Sequence, residues 1–235
     1  MEKKIYNLII LDESGSMSSI KPQAISGLNE TLQTIKDAQE KYEDQSHYVT
    51  LVSFNTKGIK TIYDCCPVRR IQELNDNDYH PNSSTPLYDA MGISLTKLNS
   101  VVKDEDNVLV TIITDGYENA SCEYSGKSIS KLVEELKTKG WVFTYIGANQ
   151  DVIKVASSMN IRNSLLFSAD GKGTDTMFKM ESESRARYYR RIDERRDVAQ
   201  LDYFVDEEKK DKKGDSLDLK KEQKIETKKK KWWWL

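Results

Sequence analysis

Short apolar runs alternate with amphipathic stretches over the first 170 residues of the chain. The apolar runs lie at residues 5–11, 48–54, 59–63, 108–114, 141–147 and 165–167. Runs that are almost continuously apolar are typical of strands that are covered on both faces of a sheet. Apolar residues recur at helical spacing in the stretches 21–42, 85–98, 128–138, 152–159 and 175–204. The pattern therefore predicts about six strands that alternate with helices.

The connections between these elements predict the fold class. Only four residues separate the runs 48–54 and 59–63, which is too short for a crossover helix, so we expect an antiparallel hairpin there. The other strands are joined through helices and should be parallel. We therefore predict a doubly wound, Rossmann-like α/β fold, with a mostly parallel sheet, one antiparallel edge hairpin and helices on both faces. Residues 1–170 would form this domain, 171–205 a helical extension and 206–235 a charged tail.

The charge of the chain changes near residue 206. All 235 residues together carry a formal net charge of −2, whereas residues 206–235 hold eleven Lys and eight Asp or Glu, a balance of +3. The preceding part therefore carries −5. The tail contains few apolar residues, and a segment that buries little apolar surface cannot offset the entropy lost on ordering. We therefore predict that the tail is disordered, or at most a frayed helix.

Composition excludes several classes of protein. The near-neutral charge argues against a dedicated nucleic-acid binder. No apolar run approaches the roughly 20 residues of a membrane-spanning helix, and the beginning of the chain lacks the pattern of a signal peptide. Three cysteines cannot form a disulfide framework. These features predict a cytoplasmic protein without a nucleic-acid partner.

Polar side chains follow three of the predicted elements at one edge of the sheet. Asp12, Ser14 and Ser16 follow the first strand and would face one point if the loop is extended, Thr85 opens a helix as its N-cap, and Asp115 follows the fourth strand. Hydroxyl and carboxylate oxygens without His or Cys suit Mg²⁺, Mn²⁺ or Ca²⁺. Three hydroxyls and two carboxylates do not fill an octahedral shell, so water or an outside ligand would complete it, and an acidic side chain of a partner is the natural candidate.

This set resembles the metal-ion-dependent adhesion site of von Willebrand factor A (vWA) domains. That site combines a D-x-S-x-S motif after the first strand, a Thr from a second loop and an Asp after the fourth strand. The matching residues are Asp12, Ser14, Ser16, Thr85 and Asp115. The resemblance covers roughly residues 3–170, and the surrounding sequence is similar to small cytosolic vWA proteins of bacteria or phages.

The resemblance implies a function as well as a fold. It implies that the two Ser and the Thr bind the cation directly, and that the aspartates bind it directly or through water. It implies one divalent cation, usually Mg²⁺ and sometimes Mn²⁺ or Ca²⁺. The expected function is then non-enzymatic and cation-dependent protein binding, in which a partner's Asp or Glu carboxylate reaches the metal.

Four further residues are candidates near this site. Asp89 lies in the first turn of the helix after Thr85, where it would either hydrogen-bond back to the site or complement the helix dipole. Glu13, Tyr117 and Glu118 lie close to the predicted rim and would shape the choice of partner.

Other functions fit the sequence less well. Phosphoryl transfer through Asp12 would call for a second Asp two residues later, where Ser14 stands. The chain has no Gly-x-Ser-x-Gly elbow, no Gly-x-Gly-x-x-Gly and no Walker loop. The family resemblance leaves open a role as an accessory subunit of an ATPase or chaperone-like machine.

Two basic segments lie near the C-terminal end of the sequence. Residues 185–191 interleave Arg with Tyr, and nearby acidic residues favour a solvent-exposed, salt-bridged helix face over contact with RNA. Residues 228–235 read Lys-Lys-Lys-Lys-Trp-Trp-Trp-Leu. This composition suits an anionic membrane surface, but a segment that docks elsewhere or a frameshifted end fits it better.

Overall fold

The core of the protein is a six-stranded sheet in the order β3-β2-β1-β4-β5-β6. The computed structural model describes residues 2–148, 151–199 and 201–206. The strands are β1 (Lys3–Asp12), β2 (Gln45–Asn55), β3 (Gly58–Pro67), β4 (Asn107–Thr114), β5 (Val142–Gly147) and β6 (Asn163–Leu166). Only the edge pair β2 and β3 is antiparallel, and the other neighbours are parallel. The predicted fold class, including its edge hairpin, is confirmed.

Helices cover both faces of the sheet. They are α1 (Lys21–Lys41), α2 (Leu87–Asn99), α3 (Gly126–Thr138), α4 (Val152–Ser158) and α5 (Gly171–Asp193). Burial on both faces explains the continuous apolar run of β1. Ile9 packs in the core below α1 and α5, whereas Ile10 packs in the core below α2, α3 and α4. A strand that is buried on both sides needs an apolar residue at nearly every position.

The last helix is shorter than its sequence pattern predicted. We expected a helix over 175–204, whereas α5 begins at Gly171 and ends at Asp193. The Asp170 side chain caps the start by accepting a hydrogen bond from the Gly173 amide (2.8 Å). Arg195 has a φ of +55°, a left-handed conformation that cannot continue the helix.

The segment predicted as an extension packs against the sheet-bearing domain. The described chain up to Phe204 forms one compact unit, in which α5 lies against α1. Gly27 permits the close approach of these helices, since a Cβ at this position would lie 2.0 Å from the Phe178 ring. The predicted disordered tail and its Lys/Trp end lie outside the described residues, apart from Asp206. Among the described residues, no helix is long and apolar enough to cross a bilayer.

The predicted solvent-exposed face around Arg185 is wrong. Arg185 is fully buried and forms an ion pair with the equally buried Glu181, at 2.7 Å. Its guanidinium also donates to Asn7 Oδ1 on β1 (3.0 Å) and to Thr111 Oγ1 on β4 (2.8 Å). Charges close in sequence favoured a solvated face, whereas burial of Arg185 depends on two further polar partners, Asn7 and Thr111, from strands far away in sequence.

Candidate metal centre

The candidate site lies where the strand order of the sheet reverses. β1 pairs with β2 on one side and with β4 on the other, and both pairs are parallel. In doubly wound sheets this reversal opens a crevice at the carboxyl ends of the strands. Asp12 is the last residue of β1 and Asp115 directly follows β4, so both aspartates lie at this crevice.

The Asp12 carboxylate is fully buried and held from two sides. Its Oδ1 accepts a hydrogen bond from the Ser14 amide (2.7 Å), and its Oδ2 accepts one from the Thr114 hydroxyl (2.6 Å). The extended loop that we predicted is wrong beyond Ser14, because a 3-10 helix occupies Gly15–Ile20. The hydroxyls of Ser14 and Ser16 nevertheless lie side by side, with 3.1 Å between their oxygens.

Thr85 reaches the site without capping a helix. We predicted Thr85 as an N-cap, but α2 begins at Leu87 with Pro86 at the N-cap position and no side-chain cap bond. The prediction is wrong because Pro86 has a ψ of 64°, outside the helical range, so the helix begins one residue later and Thr85 lies before its N-cap. Thr85 is buried, at 3% exposure.

Oxygen atoms from three segments converge beside Gly116. A Cβ built on Gly116 would lie 3.3 Å from Thr85 Oγ1, 3.6 Å from Ser16 Oγ and 3.9 Å from Asp12 Oδ2. The Ser16 hydroxyl also donates to Asp115 Oδ1, at 2.5 Å. The structure therefore brings all five predicted ligand residues close to one another at the crevice.

The two aspartates are electrostatically suited to a cation. Burial raises the pKa of Asp12 to about 6, against the hydrogen bonds from Thr114 and Ser14 that lower it. Burial also raises the pKa of Asp115. Within the described residues there is no cluster of three or more His, Cys, Asp or Glu, so a cation here would depend on hydroxyl oxygens as well as these two carboxylates. This hard, oxygen-only set fits Mg²⁺, Mn²⁺ or Ca²⁺.

Glu13 and Tyr117 differ in exposure although both were candidates for the rim. Glu13 is 6% exposed, and its carboxylate accepts hydrogen bonds from the Ser53 hydroxyl (2.5 Å) and from the His80 amide. It therefore ties the segment before α2 to β2. Tyr117 is 56% exposed and directly follows the glycine at the site.

Asp89 and Glu118 connect the loop after β4 to the start of α2. Asp89 accepts hydrogen bonds from three consecutive amides, those of residues 122–124, at 2.7–2.9 Å. Glu118 Oε2 accepts from the Tyr88 amide (2.9 Å) and the Ser121 hydroxyl (2.7 Å). These bonds direct Asp89 to the loop rather than back to the five ligand candidates.

Three residues that hold the site were missed in the sequence. Thr114 donates to Asp12, the Tyr79 hydroxyl donates to the main-chain oxygen of Asp12, and Asn119 bonds to the main chain of Thr85. The position of Thr114 directly before Asp115 could have identified it. Tyr79 has no signal in the sequence, since it lies 67 residues from Asp12.

Similarity to known proteins lies in structure rather than in sequence. No protein-family model and no curated protein matches this chain. A pilus adhesin, SpaC from Lactobacillus rhamnosus GG in its open conformation, matches with a TM-score of 0.58 and 13% identity, over 80% of this chain and 30% of that chain. The SpRpn10 VWA domain matches with a TM-score of 0.51 and 7% identity, over 75% of this chain and 94% of that one. Proximal thread matrix protein 1 from the mussel byssus matches with a TM-score of 0.51 and 12% identity, over 78% of this chain and 46% of that chain.

These matches show a vWA-like fold. The chain spans less than half the length of the mussel protein and of the adhesin. At such low identity the likeness concerns the fold, whose crevice carries the five candidate residues.

Proposed function

We propose that this protein is a vWA-type binding module whose divalent cation, Mg²⁺ in the first place, docks an acidic side chain of a partner protein. The observation that carries the proposal is the convergence of Asp12, Ser16 and Thr85 oxygens beside Gly116, next to the Asp115 carboxylate. Mn²⁺ and Ca²⁺ are alternative cations of the same chemistry.

The residues of the site have separate tasks in this function. Ser14, Ser16 and Thr85 provide neutral oxygens, while Asp12 and Asp115 provide negative charge. The bound cation would supply a positive centre for the carboxylate of a partner's Asp or Glu. Ser16 is exposed whereas Asp12 is fully buried, so the site opens to solvent on the Ser16 side.

The burial of Asp12 favours binding over catalysis. A phosphoryl-transfer enzyme would use Asp12 as a nucleophile, yet its side chain is 0% exposed and both of its carboxylate oxygens accept hydrogen bonds. We therefore propose a non-enzymatic protein. A role as an accessory subunit of a larger machine is compatible with the same site.

Calorimetric titration with Mg²⁺ and with Mn²⁺ tests the cation site. We expect one site in the wild type and a loss of at least tenfold in affinity for Asp12→Ala, Ser14→Ala and Thr85→Ala, because each removes an oxygen from the site. Ser18→Ala is the matched control, since Ser18 lies on the 3-10 helix that directly follows Ser14 and its hydroxyl donates to the main-chain oxygen of Pro81. Equal affinity in all variants would refute the assignment.

A random peptide display library tests the docking of acidic groups. The library is panned on the immobilised protein in Mg²⁺, and bound members are eluted with EDTA. We expect the eluted peptides to be enriched in Asp and Glu, and no enrichment on the Asp115→Ala variant. Absence of an EDTA-eluted class from the wild type would contradict the proposed function.

A further inference from the structure

Asn119 holds the main chain of Thr85 from both sides. Its side-chain Oδ1 accepts a hydrogen bond from the Thr85 amide, at 2.9 Å. Its own amide donates to the Thr85 carbonyl oxygen, at 3.2 Å. The two bonds flank the Thr85 Cα, so together they set the direction in which the Thr85 hydroxyl leaves the chain.

Thr85 has little local structure of its own to hold it. It precedes α2, and the next residue, Pro86, has no amide hydrogen. Ser83 nearby has a φ of +69°, so the chain is irregular on the other side as well. The position of the Thr85 hydroxyl therefore depends on contacts with a different segment.

The loop that carries Asn119 is itself attached to α2. Glu118 accepts from the Tyr88 amide, and Asp89 accepts from the amides of residues 122–124. The Tyr124 ring covers Gly92, where a Cβ would lie 2.3 Å from the ring. These contacts hold the loop that carries Asn119 in place against α2.

We propose that Asn119 is a positioning residue that holds Thr85 in its cation-binding arrangement before any cation arrives. The inference rests on the proposed cation site, because it gives the Thr85 hydroxyl the role of a ligand. Residues that orient metal ligands typically contribute 10- to 100-fold to metal affinity. Preorganised ligands bind more tightly since less ordering has to accompany binding.

Mn²⁺ titration of Asn119 variants tests the proposal. We expect Asn119→Ala to weaken Mn²⁺ binding about tenfold, because the Thr85 amide loses its partner while every ligand atom stays present. Asn119→Asp keeps an oxygen for that amide and should restore most of the affinity. Asn119 is exposed, so these variants are expected to fold.

Asn82 provides the matched controls. It lies in the loop before Thr85, and its side chain contacts the Ser83 hydroxyl. Asn82→Ala makes the same chemical change close to the site, and Asn82→Asp adds the same charge as Asn119→Asp. We expect both to bind Mn²⁺ like the wild type. The proposal is overturned if Asn119→Ala binds normally, or if Asn82→Ala loses as much affinity.

Hydrogen exchange of the Thr85 amide in metal-free protein separates this inference from the proposed function. We expect at least tenfold faster exchange of this amide in Asn119→Ala than in the wild type, and unchanged exchange in Asn82→Ala. A wild type that binds no cation would refute the proposed function, and the exchange rates would then still decide whether Asn119 holds Thr85. Unchanged exchange in Asn119→Ala would overturn the inference even if cation binding is normal.

Discussion

Gly116 matters to the candidate site because it has no side chain. A Cβ at this position would lie 3.3 Å from the Thr85 hydroxyl oxygen, which is closer than most carbon contacts. We expect Gly116→Ala to abolish Mg²⁺ binding in calorimetric titration, because the methyl group takes the space between the ligand oxygens. The free energy of unfolding should change by less than about 1 kcal/mol, as Ala differs from Gly by about that amount in backbone preference.

Gly15→Ala is the control for this substitution. Gly15 lies between two ligand candidates, but a Cβ there would meet the Ser83 oxygen at an ordinary 3.5 Å. Retained Mg²⁺ binding in Gly116→Ala would show that the space beside this glycine does not hold the cation.

Asp12 makes the stability of the metal-free protein depend on pH. Its folded-state pKa of about 6 exceeds the ordinary value of 3.8, so the folded state retains a proton that the unfolded chain has already released. Stability from this group is therefore complete below about pH 4 and decreases as the pH rises to about 7, by about 3 kcal/mol. The raised pKa of Asp115 acts in the same direction.

Urea unfolding in EDTA at several pH values checks this prediction. We expect Asp12→Asn to lose less stability than the wild type between pH 4.5 and 7.5, because the amide does not titrate. Identical pH dependence in the two proteins would contradict the prediction. Excess Mg²⁺ should restore the stability that the wild type has lost at pH 7.5, since the cation stabilises the ionised carboxylate.

At the scale of elements, Arg185 forms a buried ion pair with Glu181 on the same helix and attaches α5 to the sheet through its hydrogen bonds to Asn7 and Thr111. Both side chains are 0% exposed, and Glu181 also accepts hydrogen bonds from the hydroxyls of Thr31 and Tyr203. Removal of one partner of a buried pair leaves an uncompensated charge, at a cost of about 3–5 kcal/mol. We expect Arg185→Met to lower the free energy of unfolding in urea by this amount.

The double variant tests whether the pair itself is responsible. Glu181→Gln combined with Arg185→Met removes both charges, so it should be more stable than Arg185→Met alone. Simple addition of the two single effects would show that the side chains act independently.

At the scale of the whole molecule, Tyr117 is the rim candidate that faces solvent. Glu13 is almost fully buried and the Glu118 carboxylate bonds within the protein, whereas Tyr117 is 56% exposed. Exposed tyrosines are frequent anchors of protein interfaces. We expect Tyr117→Ala to weaken binding of the EDTA-eluted peptides about tenfold, a cost of roughly 1.4 kcal/mol.

Val101→Ala is the control for Tyr117. Val101 is similarly exposed, at 52%, and follows α2 at the end of the molecule opposite to the site. Equal peptide affinity for wild type and Tyr117→Ala, measured by fluorescence polarisation, would remove Tyr117 from the binding surface.

The succession of strands and helices along the chain was predictable from the sequence. Apolar runs such as 108–114 give a strong signal because a central strand is buried on both faces. The end of α5 was not predictable, since apolar and charged residues continue at helical spacing beyond Asp193. There, a left-handed Arg195 and the tertiary burial of Tyr203 decide the path of the chain.

The sequence by itself determined the doubly wound sheet and the five candidate ligands, Asp12, Ser14, Ser16, Thr85 and Asp115. Both depend on patterns that are local in sequence, namely apolar periodicity, the residues that directly follow a strand and the Thr-Pro pair before a helix. Only the tertiary structure decided that Glu13, Asp89 and Glu118 brace loops, that Asn119 holds Thr85, and that Arg185 is buried. The physical reason is that a buried polar group must find hydrogen-bond partners, and folding supplies these from segments far apart along the chain.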